Sequence, residues 1–375
     1  MNSIQSIFND NSNNFTLNKT LPTNKLKAIS AIKSCRTASL GAHVDECTSC
    51  GHKKISYNSC RNRHCPQCQN LKKEQWINSR QSELINTQYF HVVFTVPNSL
   101  NQIIYNNQKI LYNLLFKCVA ETLSQLASDK KYLGAQIGIT SVLHTWGQNL
   151  MFHPHIHCIV PGGGLSPSGL TFIHSKKKFF IPVKVLSRKF RGKFLSLLKE
   201  LFKQGEICIP NGIDFIELVK KLHLIDWVTY CKPPFKSTHH VINYLSRYTH
   251  KVAISNNRIV NYSNQTVSFS WKDYRNKNKQ KLMKLSSSEF MRRFLLHILP
   301  EKFVKIRYFG ILGTRNRNTK LLKCQKLTGV NLSNIQRLSK QQLIKNIFGE
   351  NVFNCSKCGS ELISRFFVSP EILLE

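Results

Sequence analysis

The chain has 375 residues, which is enough for two or three domains with at least one hydrophobic core. Lysine and arginine number 54 against 19 acidic residues, and nucleic acid is the first partner that a formal net charge of +35 predicts. No apolar run reaches the roughly 18 residues that span a bilayer, and the charge is spread along the chain, so a membrane protein is disfavoured.

The cysteine content indicates the compartment. The start of the sequence lacks the positive and apolar regions of a secretory signal. Thirteen cysteines in such a chain favour a reducing compartment, which we expect to be the cytoplasm, where thiols bind metals rather than form disulfides.

The chain begins with a polar segment that is predicted to be loose, followed by a helix predicted near residues 24–34. A dense block of cysteine and histidine comes next. Cys47 and Cys50 form one Cys-x-x-Cys pair, and Cys65 and Cys68 form a second. Two such pairs on facing turns place four thiolates in tetrahedral geometry, which is typical of a zinc ribbon. The surplus donors, which could form a second site or replace one ligand, are Cys35, His43, His52, Cys60 and His64.

Basic residues accompany these cysteines. Arg61 and Arg63 precede the second pair, and we expect them to contact DNA phosphates. The pattern beyond them predicts a helix over 71–86, a buried strand over 89–96 and an amphipathic helix over 108–126.

The strand predicted over 152–160 carries His153, His155 and His157 at alternating positions. Alternation places them on one face, where imidazoles two residues apart can converge on a metal ion. Another strand, over 135–146, can pair with it. Catalytic metals usually have a third protein ligand and an open position, so a third donor is expected beside His155 and His157. The candidates, which the sequence does not separate, are His144, Gln148 and His153.

The stretch 237–251 begins with capping residues and has helical periodicity. Tyr244 and Tyr248 are four positions apart, so their hydroxyls project from one helix face, and Arg247 and Lys251 are candidate DNA contacts. The pair could simply pack on the sheet. A metal beside it would instead assist attack on a DNA phosphodiester, and the resulting phosphotyrosine would conserve bond energy for rejoining.

The rest of the chain completes a mixed α and β pattern. Cys355 and Cys358 form a third Cys-x-x-Cys, which is half a zinc site if another pair completes it, with Cys324 as one possible contributor, or else only a turn. A basic stretch over 314–326 is expected to lie on nucleic acid or solvent. The other predicted elements are helices over 186–202, 212–222 and 286–299, strands over 225–230 and 303–308, and a hairpin of 258–262 with 267–271.

Six stretches between about residues 35 and 313 resemble the two-tyrosine transposases of the insertion-sequence ninety-one (IS91) family, within the histidine-hydrophobic-histidine (HUH) single-strand endonucleases. In chain order they are CRTASLGAHVDECTSCGH, YNSCRNRHCPQCQ, YFHVVFTVP, HTWGQNLMFHPHIHCIVPGGG, NYLSRYTHKVAISNNRI and FMRRFLLHILPEKFVKIRYFGIL.

The resemblance implies an α+β fold with a small zinc-ribbon-like domain (1–88), a catalytic domain with a central antiparallel sheet flanked by helices (89–315), and a basic C-terminal tail (316–375). It implies that His155 and His157 bind Mg²⁺ or Mn²⁺ and that Tyr244 and Tyr248 are nucleophiles. It further implies nicking of single-stranded DNA through a 5′-phosphotyrosine and transfer of the strand to target DNA.

The sequence is also compatible with other functions. A plasmid or phage replication initiator or relaxase would use the same chemistry, although the zinc-ribbon start favours a transposase. A non-catalytic zinc-ribbon DNA-binding protein would keep the charge and the cysteines. Transposition by a carboxylate cluster is disfavoured, because no motif groups the few acidic residues. The sequence leaves the oligomeric state open.

Overall fold

The computed structural model describes residues 3–17, 19–176, 180–232, 241, 249, 252–274, 276–331 and 338–374. No helix within these ranges is both long and apolar enough to cross a membrane. The helices are α1 (Ile4–Thr16), α2 (Thr23–Ser34), α3 (Gln69–Gln81), α4 (Asn101–Asn106), α5 (Gln108–Ser128), α6 (Val183–Lys203), α7 (Phe215–Leu224), α8 (Ser287–Leu295), α9 (Leu322–Leu327), α10 (Lys340–Phe348) and α11 (Pro370–Leu374).

The strands belong to small antiparallel sheets and one larger sheet. They are β1 (Ala42–Cys47), β2 (Lys53–Tyr57), β3 (Tyr89–Thr95), β4 (Gly138–Trp146), β5 (Phe152–Pro161), β6 (Gly163–Leu165), β7 (Phe172–His174), β8 (Thr229–Lys232), β9 (Ile259–Ser263), β10 (Thr266–Asp273), β11 (Lys279–Ser286), β12 (Ile306–Gly310) and β13 (Leu362–Val368).

The central sheet has five strands in the order β12-β4-β5-β3-β8, and every neighbouring pair is antiparallel. Its middle strands are rich in β-branched and aromatic residues, which suit a pleated, half-buried surface. Helices flank this sheet, so the predicted α+β class with a central antiparallel sheet is confirmed.

One face of the central sheet forms the main hydrophobic core with α5 and α6. Phe90 stacks on Phe180 with ring centroids 5.2 Å apart, and Phe94 meets Phe190 edge to face at 5.1 Å. All four rings are buried. Burying each such side chain stabilises the fold by about 1.5–3 kcal/mol, so this face anchors the sheet.

The opposite face carries histidines and is partly covered by other elements. Trp76 of α3 donates a hydrogen bond from its indole N–H to the Tyr308 hydroxyl of β12 (2.8 Å). Val241 is buried against Tyr89 and Ile159 on the same side of the sheet. This face of the sheet is therefore partly covered by α3 and by Val241.

A second core joins the start of the chain to α8 and the sheet β11-β10-β9. The predicted loose start is wrong, because Ser3 caps α1 by accepting from the Ser6 N–H (3.0 Å) and the helix buries an apolar stripe. Within that stripe Phe8 meets Phe294 of α8 at 5.2 Å.

The C-terminal segment returns to the N-terminal domain. β13 pairs with β1, which also pairs with β2, so a three-stranded sheet has the order β13-β1-β2. The basic stretch 314–326, expected on nucleic acid or solvent, buries Leu321 and Cys324 in a small cluster with Leu165. Part of the predicted tail is thus integral to the fold.

Candidate active site and metal centres

Three histidines converge on the second face of the central sheet. His144 of β4 lies opposite His155 of β5 in the strand register, and His157 is two positions further along the same face. One ring nitrogen from each lies within 4.8 Å of the others, and the Nε2 atoms of His155 and His157 are 3.0 Å apart. Nitrogens bound to one metal at 2.0–2.1 Å are roughly 3.0–3.4 Å apart, so these residues fit a divalent ion.

Hydrogen bonds set the orientation of two of these rings. His155 donates from Nδ1 to the His153 carbonyl (2.7 Å), which leaves its Nε2 facing the cluster. His157 Nδ1 lies 2.8 Å from His91 Nε2, and the two rings stack with an interplanar angle of 3°. Such partners on the outer nitrogen fix the tautomer of a metal-binding histidine.

Burial keeps two imidazoles on this face, those of His155 and His91, in the neutral form. Loss of solvent lowers the pKa of His155 to about 4 and that of His91, with help from Lys232 and His155, to about 3. Both rings are therefore neutral near pH 7. Sequence reasoning missed His91, which stands in the apolar strand β3, and only the pairing of β3 with β5 could have revealed it.

The structure separates the three candidates for a further ligand. His144 belongs to the cluster. Gln148 lies in the turn after β4, where its side-chain amide donates to the Tyr274 hydroxyl (3.1 Å). His153 contributes its carbonyl to His155, and its ring centroid is 5.2 Å from that of His155. Of these three residues, only His144 contributes a ring nitrogen to the cluster.

The predicted nucleophiles Tyr244 and Tyr248, together with Arg247 and Lys251, lie outside the described residues. The flanking Val241 and Thr249 are described, and both are fully buried. Val241 packs beside Ile159, which follows His157 on the same face of β5.

Eight of the thirteen cysteines form two separate groups of four, so the expectation of one site from Cys47, Cys50, Cys65 and Cys68 is wrong. The hairpin of β1 and β2 separates the two pairs in space, because Cys47 and Cys50 lie at its tip and Cys68 precedes α3. The first group, which includes the two predicted surplus thiols, is Cys35, Cys60, Cys65 and Cys68. The second group is Cys47, Cys50, Cys355 and Cys358.

The first group fits a closed zinc site. Cys68 Sγ is 3.5 Å from the sulfurs of Cys35 and Cys60. Tetrahedral ligands at 2.3 Å from zinc are about 3.8 Å apart, whereas disulfide sulfurs are about 2.05 Å apart. Four cysteine sulfurs at such distances are the ligand set of a closed structural zinc site.

Two residues predicted near the zinc site have other contacts. His64 is not in the cysteine group, because its Nε2 accepts from the Leu299 N–H (3.3 Å) and burial lowers its pKa to about 3. Arg63 donates to the carbonyls of Phe303 and, at 2.8 Å, Pro300. Those contacts favour a structural role for Arg63, whereas Arg61 is exposed.

Comparison with known proteins identifies two domains. Residues 138–320 match a family described as "Putative transposase", and residues 7–96 match a family described as "Transposase zinc-binding domain" of the IS91 type. The histidine cluster lies in the first range and the first cysteine group in the second. Cys355 and Cys358 lie outside both.

Two curated proteins are similar over most of the chain. "Putative transposase y4qJ" of Sinorhizobium fredii (strain NBRC 101917 / NGR234) is 50% identical over 319 residues, covering 83% of this chain and 80% of that protein. "Transposase for insertion sequence element IS801" of Pseudomonas savastanoi pv. phaseolicola is 28% identical over 351 residues, covering 90% and 83%. No solved structure matches the chain.

Proposed function

The chain belongs to the IS91 family of transposases and carries its zinc-binding domain, and from this premise we propose that it nicks and rejoins single-stranded DNA at insertion-sequence ends through a phosphotyrosine. The observation that carries the proposal is the convergence of His144, His155 and His157 on one sheet face. The family matches confirm the resemblance seen in the sequence at the level of the family.

The three histidines would hold Mg²⁺ or Mn²⁺, which would neutralise charge on the scissile phosphate and orient it for in-line attack. Imidazole ligands suit Mn²⁺ better than Mg²⁺, which prefers oxygen. His91 and the His153 carbonyl hold the ligand rings in place. Oriented imidazoles are a donor set that needs little rearrangement when the ion binds.

The proposed nucleophiles are Tyr244 and Tyr248. Val241, which precedes Tyr244 by three positions in the sequence, packs on the face that carries the histidines. A tyrosine oxygen would form a bond to the 5′-phosphorus as the bond to the 3′-oxygen breaks. The tyrosine loses its proton and the departing strand gains a 3′-hydroxyl, so the reverse step can rejoin DNA without another energy source.

The net charge supports DNA as the partner. An excess of 35 positive charges favours release of counterions from a phosphate backbone. A single strand also lets a backbone phosphate enter a site that lies on a sheet face, because no second strand blocks access. The proposal therefore places the DNA across the histidine face.

The test uses a labelled single-stranded oligonucleotide from the element end, incubated with the full-length protein and Mn²⁺. We expect a protein–DNA adduct that resists boiling in detergent and disappears when Tyr244→Phe and Tyr248→Phe are combined. Tyr274→Phe is the matched control, because Tyr274 is 66% exposed and its hydroxyl accepts a hydrogen bond from the Gln148 side-chain amide. Binding without an adduct would instead indicate a non-catalytic DNA-binding protein.

Single substitutions test the use of two nucleophiles. Tyr244→Phe and Tyr248→Phe should each allow one adduct but stop complete transposition, because each strand end needs its own tyrosine. Full transposition by either single variant would contradict that division.

A further inference from the structure

Two Cys-x-x-Cys-Gly turns, at residues 47–51 and 355–359, have the same backbone hydrogen bonds. In each turn the first cysteine donates its N–H to the carbonyl five positions later, at 3.0 and 2.7 Å. The glycine donates its N–H to the carbonyl of that first cysteine, at 2.8 and 3.0 Å. Gly51 and Gly359 take φ of 68° and 78°, a region that favours glycine. The two turns are therefore equivalent cysteine loops from opposite ends of the chain.

The sulfurs of these turns face each other. Cys47 Sγ lies 3.4 Å from Cys358 Sγ, and Cys50 Sγ lies 3.6 Å from Cys355 Sγ. The Lys357 N–H donates to Cys355 Sγ (3.4 Å), a contact that stabilises a thiolate. These distances suit four ligands around zinc and exclude disulfides. We propose that these four cysteines bind a second, structural zinc ion that joins the two ends of the chain.

Hydrophobic burial in the sheet around these turns is concentrated on β1, which buries Ala42, Val44 and Cys47. Four of the five β2 residues are exposed, and Phe366 and Phe367 of β13 are 43% and 59% exposed. A tetrahedral zinc would add a constraint to a sheet of three short strands that is exposed along β2 and at Phe366 and Phe367. The metal stabilises the pairing of β13 with β1 because both strands continue directly from the cysteine turns.

Other contacts bring the C-terminal segment back to this place. Asn78 of α3 donates to the Leu338 carbonyl (2.9 Å) and accepts from the Leu338 N–H (3.1 Å). Lys54 of β2 donates to the Val352 carbonyl (3.1 Å). Gly41 permits a close approach, since a Cβ there would lie 2.7 Å from the Val368 carbonyl oxygen. The zinc site thus completes an arrangement that both chain ends build.

Exposed thiols give a test on the unmodified, full-length protein. Cys50, Cys358 and Cys208 are all exposed, but only Cys208 lies outside the cysteine groups. With zinc bound, iodoacetamide should label Cys208 at least tenfold faster than Cys50 and Cys358, as measured by mass spectrometry. After zinc is removed with a chelator, all three should react. Equal labelling in the zinc-loaded protein would overturn the proposal.

Metal counting tests that both pairs serve one ion. Cys47→Ser with Cys50→Ser should remove one zinc per chain, and Cys355→Ser with Cys358→Ser should remove the same one. The variant with all four substitutions should also lose only one zinc ion. A loss of two zinc ions from that variant would contradict a shared site, and so would full zinc content after substitution of the C-terminal pair alone. Cys208→Ser is the matched control and should keep the full zinc content. The outcome is independent of DNA cleavage, so it stands or fails separately from the proposed nuclease chemistry.

Discussion

The two faces of the central sheet carry different residues on the same strands. On β5, Ile156 and Cys158 point into the core with α5 and α6, while His155 and His157 point to the opposite side. Period-two alternation alone produces this division. The packed core and the proposed catalytic face are thus the two sides of one sheet, so substitutions on each face should have different consequences.

The largest effect is expected on the histidine face. His157→Ala should lower the rate of adduct formation by at least about a thousandfold, because loss of one proposed metal ligand would remove several kcal/mol of transition-state stabilisation. His157 is only partly buried, so the midpoint of urea unfolding should change little. Single-turnover cleavage with Mn²⁺ measures the first quantity and circular dichroism the second. Normal cleavage by His157→Ala would contradict the proposed function of this face.

The core face should respond in the opposite way. Phe94→Ala removes a fully buried ring that meets Phe190, and we expect a loss of about 3–5 kcal/mol in the free energy of unfolding. At low temperature, where the variant stays folded, its cleavage rate should remain near normal. Leu224→Ala is the control, since Leu224 is 85% exposed and its truncation should cost little. A selective loss of cleavage in folded Phe94→Ala would remove the distinction between the faces.

Much of this arrangement was predictable, because it depends on local patterns. The alternation of His153, His155 and His157 predicts a strand with a metal-binding face, and β5 forms there. The helix predicted from residue 286 also forms, and Ser286 caps α8 by accepting from the Glu289 N–H. The hairpin of β9 and β10 also forms where turn residues predict it. Such signals need only nearby residues.

Long-range pairing accounts for what the sequence could not predict. The grouping of Cys47 with Cys358 depends on a strand pair between chain ends, and nothing near either residue specifies its partner. His91 supports His157 only because β3 lies beside β5 in one register. The choice of His144 over Gln148 likewise depends on the register of β4. Residue type predicted the chemistry, whereas topology selected the members of each site.

His297 is a buried histidine that belongs neither to the histidine cluster nor to the main hydrophobic core. Burial lowers the pKa of His297 to about 4, although its Nε2 contacts the Leu150 carbonyl (3.0 Å) and its Nδ1 contacts the Thr145 hydroxyl (3.2 Å). Below pH 6.5 the unfolded chain binds a proton that the folded chain does not, so stability should fall between pH 6.5 and about 4. The gap between those two pKa values corresponds to about 3 kcal/mol.

The measurement is urea unfolding at pH 7 and pH 5 for the normal chain and for His297→Gln. The zinc sites also weaken as thiolates gain protons, so only the difference between the two proteins reports on His297. We expect the variant to lose less stability than the normal chain over this interval. Identical pH dependence would show that His297 does not remain neutral in the fold.

The smallest effect concerns a positioning residue on the histidine face. His91→Leu fills similar space but removes the partner of His157 Nδ1, and we expect Mn²⁺ affinity to fall 10–100-fold, or about 1.4–2.7 kcal/mol. His91→Gln should recover part of that affinity, because its amide oxygen can accept from the His157 ring. Zinc content should stay constant in both, and exposed His223→Ala is the control. Equal Mn²⁺ affinity in the Leu and Gln variants would show that His91 acts by packing. Its role on the histidine face would then be to stabilise the fold and not to orient His157.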